Sequence, residues 1–182
     1  MNASDFVYYK NWEFSARMAF QTMNIYKDVY SSLDKSEKVK LAHQFYDFVF
    51  RCYDRPIRFE SKESMKIRVK SKRTGDHPFS ARVAHRAIMN ANLWLLDDFD
   101  VFKKEFYKLI QKINVTSDEN IKAKVSSDGT GDVKIEHYIT ERYEKVEEWY
   151  DNKKGIWVIG FPLEIPDWYA NYEQSKIPAT LY

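Results

Sequence analysis

Met65-Lys66-Ile67-Arg68-Val69-Lys70 alternates apolar and basic side chains along its whole length. A period of two predicts a strand with one buried face and one cationic face. The stretch runs into Ser71-Lys72-Arg73-Thr74-Gly75-Asp76-His77-Pro78, which reads as a turn-rich basic loop. Outward in both directions the apolar period becomes helical. Upstream, residues 5–30 lack Gly and Pro and space Phe6, Tyr9, Phe14, Met18 and Ile25 as one long amphipathic helix. Ser31-Ser32-Leu33 breaks it, and Asp34-Lys35-Ser36-Glu37 has the form of a capping box. A second helix follows with Val39, Ala42, Phe45, Tyr46, Val49 and Cys52 on one side, ending before Pro56 and pairing with the first as a hairpin.

Downstream, helices are expected over 80–95 and 98–113, the latter with Phe102, Phe106, Leu109 and Ile113 on its apolar stripe. Thr116-Ser117-Asp118-Glu119 is a second capping box, expected to open a short helix through Asn120, Lys122 and Lys124. Residues 126–132, SSDGTGD, form the most polar and Gly-rich stretch and predict a mobile loop. A helix over 134–150, a buried strand over 155–160 and an aromatic, Pro-punctuated tail lying over the surface complete the reading. The class is α+β, predominantly helical with a small sheet or hairpin. Three segments make it up: a helical hairpin at 1–56, a basic core at 57–125, and 126–182 packed on the same domain.

At 182 residues the chain is long enough to bury a substantial core, and 44% apolar residues exclude a disordered polymer. A lone Cys52 excludes an internal disulfide framework and points to a reducing compartment, the cytoplasm. No apolar run is long enough to span a membrane, and the N-terminal residues do not read as a secretory signal. Charge is distributed unevenly. From Arg51 to Arg86 eleven Lys and Arg stand against four Asp and Glu, an excess of seven; the rest of a chain of formal charge +2 therefore carries −5. A basic segment in an acidic protein is the footprint of a surface that meets a polyanion.

The chemistry-bearing cluster is Asp76-His77, on the loop that leaves the basic stretch. A neutral imidazole can take a proton from water near neutral pH, and a carboxylate beside it can hold a divalent metal that polarises a phosphate. An amide oxygen such as that of Asn120 would complete the metal shell. The same Thr-Gly-Asp-His-Pro stretch also suits a plain turn in which both side chains bond nearby backbone. His85 is expected to pack or face solvent, and nothing pairs His43 or His137 with ligands. A serine-nucleophile elbow and a phosphate-binding Gly-Lys-Ser/Thr loop are both absent from the sequence.

Thr74-Gly75-Asp76-His77-Pro78-Phe79-Ser80, followed by Val115-Thr116-Ser117-Asp118-Glu119-Asn120, resembles the phage-type HNH endonucleases and their divergent relatives. The resemblance covers roughly residues 66–124. It implies a ββα-metal-like centre with Asp76 and Asn120 as ligands of Mg²⁺ or Mn²⁺, His77 activating the attacking water, and Lys122 near the phosphate. Arg68, Lys70, Lys72 and Arg73 would contact the backbone of DNA, the expected partner. About forty residues separate His77 from Asn120, and Asn90 or Asn92 also fit the middle position by spacing. The expected function is a divalent-metal-dependent DNA phosphodiesterase of homing or nicking type, in the host cytoplasm if phage-encoded. The alternative is a phage protein without catalysis, an inhibitor or adaptor docking on a host or phage protein through the aromatic tail from Trp157 to Tyr182, with Trp168, Tyr169 and Tyr172, or a virion component.

Overall fold

The computed structural model describes residues 12–50, 57–67, 74–121, 125–130 and 132–177, and every structural statement below refers to these. They form an α+β fold. The helices are α1 (Trp12–Tyr26), α2 (Lys35–Phe50), α3 (Lys62–Lys66), α4 (Ala81–Ala91), α5 (Phe99–Leu109) and α6 (Asp167–Ser175). Strands β1 (Ile57–Ser61), β2 (Thr74–Asp76), β3 (Lys112–Val115), β6 (Glu148–Asp151) and β7 (Ile156–Ile159) form one sheet in the order β2-β3-β1-β6-β7. Only β1 and β3 run parallel; a separate hairpin joins β4 (Val125–Ser127) to β5 (Val133–Ile135). Because β1 pairs with β3 on one side and β6 on the other, the segments 57–125 and 126–182 share a sheet.

The helical half is built around α4, whose Val83, Ala84, Ala87 and Ile88 are buried together with His85 and Arg86. Ala16, Ala19 and Met23 form the inner face of α1, whereas Ile25, assigned by spacing to its apolar stripe, is exposed. Phe20 packs against Phe99 and Phe102 at 5.4 and 5.5 Å, tying α1 to α5. The cap of α2 forms as its sequence predicts: the Glu37 amide donates to Asp34 Oδ1 at 2.8 Å, and the Asp34 amide donates to Glu37 Oε2 at 2.9 Å. Tyr46, expected on the inner face of α2, is exposed. His85 is buried and its Nε2 lies 3.1 Å from the Tyr26 hydroxyl; burial pushes its pKa down to about 3.

Several elements differ from the expectations. The strand expected at 65–70 begins instead as helix: Ser61 Oγ accepts the Ser64 amide at 3.1 Å, capping α3, which takes up Met65 and Lys66. Ile67 is extended, and Arg68, Val69 and Lys70 lie outside the described residues. Helix α5 stops at Leu109, and β-branched Ile113 and Val115 go into β3, between β1 and β2. No helix spans 134–150. Val133 and Ile135 face inward from β5 while Trp149 and Asp151 face inward from β6, so ladder pairing overrides an apolar spacing that also fits a helix. The expected loop at 126–132 is the β4–β5 hairpin, with Asp128 Oδ1 accepting the Thr130 and Asp132 amides at 2.8 and 3.1 Å.

Strand β7 lies at a free edge with Ile156, Trp157 and Ile159 exposed, not buried as expected. The turn leading into it is held by Asp151, which accepts the Lys153 and Lys154 amides and a two-pronged pair with Arg58 at 3.0 and 3.1 Å. The Arg58 bond holds the Asp151 carboxyl down to about 2. The tail does not lie loose. Trp168, Tyr169 and Tyr172 on α6 are buried against the domain, with Trp168 Nε1 donating to Glu105 at 2.9 Å and Phe79 meeting Tyr169 edge-on at 5.3 Å. Those three rings are spent on the core, whereas Trp157, where the expected docking tail begins, is exposed on β7.

Candidate functional site

Strand β2 lies at the other edge of the sheet, with Asp76 opposite Ile113 of β3. The chain then turns through His77 and Pro78 into α4, which Ser80 caps by accepting the Val83 amide at 3.4 Å. The Ser80 amide itself donates to the Tyr169 hydroxyl at 3.0 Å, so α6 buttresses the turn. After β3, the second capping box closes as read, with the Thr116 amide donating to Glu119 Oε2 at 2.8 Å and the Glu119 amide to Thr116 Oγ1 at 3.3 Å. It closes a turn over 117–119, and Lys122 and Lys124 of the expected helix lie outside the described residues. Ser61 Oγ donates to the same Glu119 oxygen at 2.6 Å, which fixes that turn to β1. Asn120 comes next.

Arg142 holds these two segments together. Its Nη1 donates to the Pro78 carbonyl at 2.7 Å, its Nε to the Ile121 carbonyl at 3.1 Å, and its Nη2 to Asp76 Oδ2 at 3.0 Å. The Ile121 amide in turn donates to the Arg142 carbonyl at 3.1 Å. One guanidinium thus joins the turn after β2 to the turn after β3, and its side chain is only 6% exposed. The Tyr143 hydroxyl also donates to Asp76 Oδ2, and burial raises the pKa of this tyrosine far above its ordinary value. Within the field of the Arg142 charge, Glu173 of α6 is buried and accepts the Ile139 amide at 3.2 Å; burial pushes its carboxyl up to about 7.

Asp76, His77 and Asn120 consequently line one cleft of about 510 Å³, together with His43, Tyr46 and Phe50 of α2 and Arg82 of α4. The Phe50 ring meets His77 edge-on at 4.1 Å and stacks on Tyr46 at 4.2 Å. Asn120 Oδ1 is buried without a hydrogen-bond partner. His43 lies two helical turns before Phe50, about 10 Å along α2 at 1.5 Å per residue, so it serves the far end of the cleft and not the atoms beside His77.

The donor set is poor in the anionic oxygens that would hold a divalent metal by protein groups alone. Mg²⁺ and Mn²⁺ seek hard, anionic oxygens. Here the single carboxylate gives one oxygen to a guanidinium and a phenol, and its charge is already neutralised by Arg142. Among the described residues no three His, Cys, Asp or Glu side chains gather to hold a metal ion. What the cleft does offer is a half-buried imidazole, the arginine Arg82, an unpaired amide oxygen and an aromatic face.

Of the residues singled out by sequence, Asp76, His77 and Asn120 converge, whereas Asn90 is turned away and donates to the Tyr172 hydroxyl at 3.0 Å. Arg68, Lys70, Lys72, Arg73 and Lys122 lie outside the described residues. Sequence reading missed Arg142, which sat inside an expected helix, and also His43 and Tyr46. A spacing of three between the last two, on the face of α2 that flanks its core residues beside Ala42, was the available signal. No family model, no curated protein and no solved structure matches the chain.

Proposed function

We propose that the cleft binds the phosphodiester backbone of DNA and that His77 transfers a proton in its hydrolysis. The observation that carries this reading is the convergence of Asp76-His77 with Asn120 and Arg82 on one cleft, from segments far apart in sequence. An imidazole titrates near neutrality and can serve as base or acid, a task worth about 10²–10⁴ in rate. An arginine pairs with a phosphate at fixed geometry. The excess of seven positive charges over residues 51–86 adds a general attraction for a polyanion. In this scheme Asp76 is a positioning residue: bound to Arg142 and Tyr143, it fixes the backbone on which His77 is carried.

The HNH-like form of the proposal, with a ββα-metal-like centre, takes Asp76 and Asn120 as ligands of Mg²⁺ or Mn²⁺. It runs against the ion pair that Asp76 makes with Arg142 and against the chain order, in which α4 and α5 separate β2 from β3. Nicking of DNA, assayed on single-stranded circular DNA as well as on supercoiled plasmid, distinguishes the forms. The proposal expects nicking by the wild-type chain that falls at least a hundredfold in His77→Ala at unchanged melting temperature. Persistence of nicking in EDTA supports the metal-free form. Strict dependence on Mg²⁺ or Mn²⁺, lost in Asn120→Ala, supports the HNH-like form. A folded wild-type chain that nicks under neither condition, or a His77→Ala variant as active as wild type, overturns the proposal.

A further inference from the structure

We infer that the cleft takes an unpaired base of a single-stranded nucleic acid, stacked on Tyr46, and does not receive an intact duplex. This rests on the reading of the cleft as a nucleic-acid site and names the form of the substrate. Three observations carry it. Tyr46 is the outer ring of a stack: its one neighbour in that stack is Phe50, at 4.2 Å and 22° between planes, and it remains 48% exposed at the cleft wall. Phe50 in turn is set by the edge-on contact with His77, so the exposed ring belongs to a fixed array. An exposed aromatic held against other rings, beside cationic side chains, is the arrangement on which bases stack.

The second observation is Asn120 Oδ1, buried at the same cleft with no donor to satisfy it. A buried acceptor left unpaired costs about 1–3 kcal/mol, and a turn of the Asn120 amide toward the cleft it lines lets a ligand N–H or O–H relieve that cost. A, G, C and T each carry an N–H donor on the pairing edge; in a duplex that pairing hydrogen is engaged, and the amino hydrogens left over on A, C and G are reached only from the grooves. An unpaired base offers both the free π-face that Tyr46 can cover and the free N–H that Asn120 can accept. The third is size and charge. About 510 Å³ lies within the roughly 300–1,000 Å³ of small-ligand sites, and Arg82 and His43 stand on the wall to meet the flanking phosphates.

Fluorescence anisotropy with a labelled 12-nucleotide DNA strand tests the inference, against a hairpin duplex of matched charge and a 12-residue strand lacking its central bases. The inference expects the intact strand to bind at least tenfold more tightly than either competitor. It expects Tyr46→Ala to lose about tenfold or more in affinity and Tyr46→Phe to keep it; because the ring is half-exposed, neither change unfolds the chain. Equal binding of all three probes, or a Tyr46→Ala variant that binds the strand as wild type does, overturns the inference while leaving the wider reading in place. A chain that binds none of the probes overturns both.

Discussion

Arg142 is the residue on which the geometry of the cleft turns. Its Nε, Nη1 and Nη2 each donate once, to two carbonyls and one carboxylate that belong to different parts of the chain, and it is almost wholly buried. Removing one member of a buried pair leaves the other charge uncompensated, which costs more than the pair itself contributes. Asp76 keeps some contact with the cleft, so part of that cost is relieved by water. Arg142→Ala is therefore expected to lose about 3 kcal/mol in urea denaturation, and Arg142→Lys most of the same, because an ammonium cannot reach all three acceptors in one plane. A loss below about 1 kcal/mol in Arg142→Ala would show that the turns after β2 and β3 hold their places without it. None of this was legible beforehand: one arginine among the alternating charges of Glu141, Arg142 and Glu144 carries no mark of what it will meet across the fold.

Among the elements, α6 has the clearest dependence on its surroundings. It is short, it follows Pro166, and it buries Trp168, Tyr169, Tyr172 and Glu173. Burial raises the Glu173 carboxyl to about 7, an effect moderated by the Ile139 amide and the Arg142 charge and reinforced by Glu141. A carboxyl whose folded pKa lies above its unfolded value of 4.5 contributes fully below that value, and the contribution is lost as pH rises through about 7. The difference is on the order of 3 kcal/mol. Glu173→Gln keeps an acceptor for Ile139 without the charge. Its melting temperature should exceed that of the wild type at pH 8 and converge with it near pH 4.5; parallel curves across that range would refute the assignment. The aromatic content of α6 was plain in the sequence, but aromatic rings suit a surface strap and a buried helix equally, and only the packing against α4 and Phe79 separates the two. The stretch at 134–150 failed for a related reason: Ile135, Ile139, Val146 and Trp149 fit a helical period, and the partners that draw Ile135 and Trp149 into ladders, Val125 and Ser61, lie elsewhere in the chain.

Across the whole molecule, the cleft opens where α2 and the N-terminal end of α4 meet the edge strand β2. Local signals gave what they could: the α+β class, both capping boxes, the break after α1, and the Asp76-His77 turn as the place to look. Asn120 was paired with that turn by residue type and resemblance, and the fold brings it to the same wall through Arg142. The participation of α2 was not readable, because His43, Tyr46 and Phe50 acquire a common purpose only when the turn carrying His77 is laid against them. Among the described residues no helix is long and apolar enough to cross a membrane.

The chain's four histidines make the central claim directly measurable. His43 and His77 line the cleft, His85 is buried in α4, and His137 lies outside the cleft wall. Imidazole proton resonances, assigned by single His→Gln variants, can be followed while a 12-nucleotide single strand of DNA is added. The account predicts that the His77 signal moves most, that His43 moves with the same saturation, and that His85 and His137 stay in place. A titration that shifts His137 while His77 remains fixed would put the nucleic acid elsewhere and contradict the account.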